Sequence, residues 1–107
     1  MIDALREPLD EAQRLYEALL AGAHGPLTQA QRASIETAKS CAGQLRDLVT
    51  STPDAPKLRM RTLVIAIYSG AEMLIRGAGG PLNVPQLENA KRIRDLATAL
   101  RKIVDTA

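Results

Sequence analysis

One half of this chain repeats the other, and that repeat limits what it can fold into. Moving the first half forward by 55 positions places Gly25-Pro26-Leu27 on Gly80-Pro81-Leu82, Gly22-Ala23 on Gly77-Ala78, and Leu19 on Leu74. In the same register Thr28 meets Asn83, Gln31 meets Gln86, Leu45-Arg46 meets Leu100-Arg101, and Val49 meets Val104. Turns, caps and apolar positions that coincide in one register mark a duplicated unit. Each unit holds two apolar stripes separated by a Gly-Pro turn, so it reads as a helical hairpin. A lone hairpin cannot bury its stripes. Two hairpins facing each other can, as an up-down four-helix bundle, and the expected class is therefore all-α.

The turn signals divide the chain into four helical stretches. Gly22-Ala23-His24-Gly25-Pro26 breaks the first half, Thr52-Pro53-Asp54-Ala55-Pro56 parts the halves, and Gly77-Ala78-Gly79-Gly80-Pro81 breaks the second. Apolar residues spaced by three and four predict helices over 3–21, 29–51, 57–76 and 84–105. Residues 3–51 and 57–106 are then the two hairpins of a single domain spanning 1–107. Thr28 with Gln31 has the form of a capping box, and Asn83 with Gln86 repeats it. Pro8 suits the first turn of a helix and kinks it anywhere later. In the third stretch Ile65 and Tyr68 widen the apolar face, so that helix should be the most buried. Gly70 weakens it locally or admits a close neighbour.

Composition narrows the function classes. The chain has two Tyr and no Phe or Trp, so it lacks the aromatic platforms that stack single-stranded bases. The net charge of +2 comes from basic residues interleaved with acids, as in Glu88, Lys91, Arg92, Arg94 and Asp95, which describes a solvated helix face rather than a phosphate-binding stripe. Nucleic acid is not an expected partner. Cys41 is the sole cysteine, which rules out an intrachain disulfide, suits a reducing cytoplasm and fits a small core position. The first residues turn charged at Asp3, so no signal peptide is expected, and no apolar run approaches the length of a membrane span.

The opening of the first helix, Asp3-Ala4-Leu5-Arg6-Glu7-Pro8-Leu9, has the form His-Glu-Leu-Arg-Thr-Pro-Leu. The turn Gly25-Pro26-Leu27-Thr28-Gln29-Ala30-Gln31 has the form Gly-Pro-Leu-Thr-Pro-Glu-Gln. Ile35-Glu36-Thr37 and Gln44-Leu45-Arg46-Asp47-Leu48-Val49 follow on the second helix. Across residues 3 to 50 the chain thus resembles the dimerisation and histidine-phosphotransfer domain of bacterial sensor histidine kinases. The family's hairpin pairs with a second copy into a four-helix bundle. The second half here resembles a diverged copy, with Met60-Arg61-Thr62-Leu63 a faint echo of the motif, so one chain fuses what the family assembles from two.

The departures fall on the chemical positions. Asp3 stands where the family's phosphate-accepting histidine would be, Ala4 where the assisting acid would be, and Glu7 where the threonine linked to phosphatase activity would be. Leu5, Arg6, Pro8 and Leu9, which serve packing and helix geometry, remain. The second copy has Leu58 and Arg59 at the positions of Asp3 and Ala4. An aspartyl phosphate needs a magnesium ion in an acidic pocket, which a helix surface does not supply. No glycine-rich nucleotide segment is present. No catalysis and no cofactor are therefore expected.

The resemblance implies a non-catalytic protein-binding module of two-component signalling, one that imitates the kinase bundle and binds a response regulator receiver domain or a histidine kinase. The family's docking surface maps onto Leu5, Arg6, Glu7, Leu9, Arg46, Asp47 and Val49, with Leu48 beside them. Of these, Leu5, Leu9 and Leu48 also read as core, while Arg6, Glu7 and Arg46 read as contacts. Two other possibilities stay open. One is a phosphotransfer protein with an unconventional acceptor, His24 or Asp3. The other is a generic scaffold or oligomerisation bundle, including a dimer that exchanges hairpins. His24 sits in a turn between Ala23 and Gly25 and reads as a loop residue. With one His and one Cys far apart, and no Glu-x-x-His pair, no zinc or di-iron site is expected.

Overall fold

The computed structural model describes residues 2–52 and 54–106; Met1, Ala107 and, of the inter-hairpin turn, Pro53 lie outside them. Four helices follow in chain order: α1 Ile2–Leu20, α2 Gln29–Ser51, α3 Lys57–Ile75 and α4 Val84–Thr106. Each packs on its chain neighbours and α4 closes onto α1, so α1 stands diagonally from α3 and α2 from α4. This is the up-down four-helix bundle of two hairpins, 39 × 21 × 19 Å in extent.

The repeat is visible in how the helices stop and start. After α1, the Gly22 N–H donates to Leu19 O and the Ala23 N–H to Ala18 O. After α3, Gly77 and Ala78 donate in the same way to Leu74 O and Met73 O. This pattern requires a left-handed residue just past the helix, and Gly22 (φ 79°) and Gly77 (φ 86°) provide it without a Cβ penalty. At the start of α2, Thr28 Oγ1 accepts from Gln31 N at 3.1 Å while Gln31 Oε1 accepts from Thr28 N at 2.9 Å. Asn83 and Gln86 make the same reciprocal pair before α4, at 2.9 and 3.0 Å.

The two glutamines do more than cap. Each has a second, donating end that crosses to the other hairpin. Gln31 Nε2 donates to Gly80 O at 2.9 Å, and Gln86 Nε2 donates to Gly25 O and Pro26 O at 3.2 and 3.1 Å. The cap residues cross as well: Thr28 Oγ1 donates to Gly79 O and Asn83 Nδ2 to His24 O. Gln31 and Gln86 are the two buried polar side chains among the described residues. Both hairpin turns are therefore locked to each other at one end of the bundle, with a pseudo-two-fold axis between them.

The core is aliphatic, with a single large aromatic, Tyr16. Its members obey the repeat in position and exchange size across it. Ala12 corresponds to Ile67, Tyr16 to Ala71, Ile35 to Ala90 and Ala38 to Ile93, and all eight are buried. Each of these layers thus receives one large and one small side chain, which is how close packing is kept in a narrow bundle. The Tyr16 hydroxyl reaches diagonally to donate to Ile67 O at 2.9 Å. Beside it α2 and α3 come close together: a Cβ added at Gly70 would lie 2.7 Å from Ala38 Cβ. Close approach is the role Gly70 fulfils.

Two expectations need correction or refinement. Ile65 and Tyr68 do not widen the buried face; they are 46% and 38% exposed. Met60, Leu63, Val64, Ile67, Ala71 and Leu74 already occupy the core-facing arc of α3, and residues 65 and 68 fall outside it. Pro8 lies inside α1, past its first turn. The Ala4 carbonyl therefore has no amide donor four residues on, but Ala4 is exposed to water.

Candidate functional site

The surface expected to receive a partner lies at the end of the bundle opposite the locked turns, where α1 begins and α2 ends. Leu5, Leu9 and Val49 are buried there, at 0%, 1% and 3% exposure. They belong to the core and hold the surface from beneath, so as contact residues they are corrected: a partner docking on the intact bundle does not reach them. Leu48 is partly buried against the same core.

Above them Arg6 and Glu7 lie together on α1, whereas Asp47 lies apart from them, lining a separate hollow between α2 and α3 with Arg59 and Leu63. Asp3, Arg6, Glu7, Asp10 and Arg14 line a shallow hollow of about 330 Å³ on the outer side of α1. Arg46 reaches across from α2, with Nη1 2.9 Å from Asp10 Oδ1 and 3.1 Å from Gln13 Oε1. Arg46 is thereby committed to holding α1 against α2. Arg6 lies 3.9 Å from Asp3, a loose contact between two largely solvated groups. Asp3, Arg6, Glu7 and Asp47 are all exposed. The hollow therefore presents a mixed-charge surface that can exchange its weak internal pairs for a partner's.

The acceptor positions are equally plain. Asp3 is 96% exposed at its side chain, with Arg6 as its neighbour. His24 sits in the turn after α1, half-buried, with its carbonyl held by Asn83 at 2.6 Å. Cys41 is partly buried against the core. Among the described residues no three His, Cys, Asp or Glu side chains converge as metal ligands. No described helix is long and apolar enough to cross a membrane.

Elsewhere the two seams between hairpins differ. On the α1–α4 seam Arg92 makes a paired contact with Glu11, at 2.7 and 2.9 Å. That guanidinium holds the Glu11 carboxyl below its ordinary range. The equivalent places on the α2–α3 seam carry Thr37 and Ala66, and a groove of about 400 Å³ opens there. Arg61 likewise binds Asp105 at 2.6 Å and holds its carboxyl low. One surface was missed from periodicity alone: the outer side of α3, where Leu58, Ile65, Tyr68 and Met73 are exposed. Its signal was present in the sequence as a run without charge from Thr62 to Ala71.

Set beside known proteins, the chain matches no protein family, no curated protein and no solved structure.

Proposed function

We propose that this chain is a non-catalytic protein-binding module of two-component signalling, built like the phosphotransfer bundle of a histidine kinase and binding a response regulator receiver domain or a histidine kinase. The observation that supports this most is the union of two hairpins about one pseudo-two-fold axis, each with the same Gly-Pro-Leu turn and cap. Such a bundle offers in one chain the shape that the resembled family builds from two. At the matching end of α1 and α2 it keeps a solvated, mixed-charge surface, while Asp3 replaces an acceptor histidine.

The test is capture of binding proteins from a lysate of the source organism, followed by direct binding of the purified candidate. The variant that probes the surface is Arg6→Glu with Glu7→Lys. Both side chains are exposed, whereas Arg46 is tied to Asp10 and would disturb packing if reversed. A receiver domain or histidine kinase that binds the wild type and is lost with the variant supports the proposal. Capture of neither, or binding indifferent to the variant, overturns it.

A further inference from the structure

The outer side of α3 is built unlike any other surface of the bundle. Four of the five large apolar side chains left exposed among the described residues lie on this helix: Leu58 at 76%, Met73 at 49%, Ile65 and Tyr68. No charged residue occurs between Thr62 and Ala71, and no other helix has an uncharged run as long. Leu58, Thr62, Ile65, Ser69 and Met73 follow at spacings of four, three, four and four, so they form one stripe along the helix. At a rise of about 1.5 Å per residue it runs most of the helix length.

We propose that this stripe is a homodimer interface, in which α3 packs antiparallel against α3 of a second copy across a two-fold axis between Ile65 and Ala66. The reason for a second copy, rather than another occupant, is that the stripe reads alike in both directions. Leu58 and Met73 lie equally far from that midpoint, as do Thr62 and Ser69. Antiparallel pairing therefore sets Leu58 against Met73, Thr62 against Ser69, and the two Ile65–Ala66 centres against each other. An isologous contact demands this self-complementarity. Charge agrees at the flank: Arg61 and Glu72 lie on the same side of α3, towards α4, as their contacts with Asp105 and Arg94 show. The two-fold operation brings Arg61 of one copy near Glu72 of the other. The α1–α2 surface stays free in such a dimer, because α1 stands diagonally from α3. The dimer does not depend on which protein, if any, binds there.

The experiment is sedimentation velocity over a concentration series, on the wild type and on Ile65→Glu, with Leu58→Glu as a second variant and circular dichroism confirming that each keeps its helix content. The wild type should reach twice the chain mass. Either glutamate should weaken dimerisation by at least ~100-fold, because it places unpaired carboxylates in a buried contact. Orientation is read by disulfide trapping in a Cys41→Ser background. Thr62→Cys with Ser69→Cys together should cross-link two chains, and neither alone should do so. A wild type that remains monomeric throughout overturns the proposal, whether the face stays open or awaits a different protein. A dimer indifferent to both folded glutamate variants, or cross-linking by one cysteine alone, overturns it too.

Discussion

Replacing Gln31 by glutamate separates the two tasks of a residue that caps one hairpin and grips the other. Glutamate and glutamine serve equally at the third position of a capping box, so the acceptor end, which takes the Thr28 amide at 2.9 Å, survives the change. The donor end does not. In place of an N–H donor 2.9 Å from Gly80 O, with Pro81 O at 3.5 Å, the variant presents a carboxylate oxygen to two carbonyl oxygens. The lost hydrogen bond is worth about 1 kcal/mol, and a carboxylate left without a donor at a site 2% exposed adds a further penalty of about 1–3 kcal/mol. Gln31→Glu should therefore cost about 2–4 kcal/mol at neutral pH. Gln31→Ala, which loses both ends but buries no charge, should cost about 1–2 kcal/mol. Burial and the facing carbonyls raise the new carboxyl above its unfolded value of about 4.3. A raised acid binds its proton more tightly when folded, so the Gln31→Glu deficit should be largest above the raised value and shrink as pH falls towards 4.3. Urea denaturation followed by circular dichroism, at neutral pH and near pH 4.5, reads both quantities. A Gln31→Glu protein as stable as the wild type at neutral pH would show that the cross-hairpin bond contributes nothing, and a deficit unchanged by acid would show that the new carboxylate carries no burial penalty.

Other outcomes follow from the packing. Gly70→Ala gains about 1 kcal/mol of helix propensity but forces α2 and α3 apart, so thermal melting should show a net loss; Ala38→Gly in the same protein should recover part of it, making the double variant more stable than the two single effects sum to. Tyr16→Phe should cost about 1 kcal/mol in denaturant unfolding, for the buried bond to Ile67 O. Burial also pushes the Tyr16 phenol above its ordinary range, so in alkaline spectrophotometric titration it should keep its proton past about pH 10 and release it on unfolding. Glu11 and Arg92 should show favourable coupling in a double-mutant cycle at low salt and less in high salt. Because the Glu11 carboxyl is lowered, that contribution should be present above the ordinary carboxylate range and fade as pH falls through the lowered value.

The sequence made the fold legible because the repeat, the caps and the apolar spacing all agreed. Thr28–Gln31 and Asn83–Gln86 formed the boxes their spacing announced, since capping is a contact over three residues and local sequence contains it. The far ends of the same glutamines were not legible, because Gly80 and Gly25 become their neighbours only after the hairpins meet. Ile65 and Tyr68 misled for a related reason. Periodicity measures how wide an apolar arc is, whereas the positions of α2 and α4 decide how much of it they cover. At the candidate surface the apolar spacing already read Leu5 and Leu9 as core and Arg6 as a contact, whereas the motif alone carried Val49, which packs inward, and Arg46, which is tied to Asp10. Short motif likeness carries both kinds of residue together.

The exchange of large and small residues between the halves bears on how such a chain can evolve. Were the first hairpin released by a split gene, pairing with its own copy would press two Tyr16 side chains into a layer shaped for one, and leave two Ala38 where an isoleucine is needed. The second hairpin would suffer the reverse, with Ile67 crowded against its double and Ala71 facing a void. The layers that Ala12 shares with Ile67, and Ile35 with Ala90, add to the same bias. Each hairpin has thus become a specialist for its sibling, and fusion is hard to undo. Two separately expressed hairpins would seek each other out as a heterodimer, and a chain that trades hairpins with a neighbour still unites unlike halves.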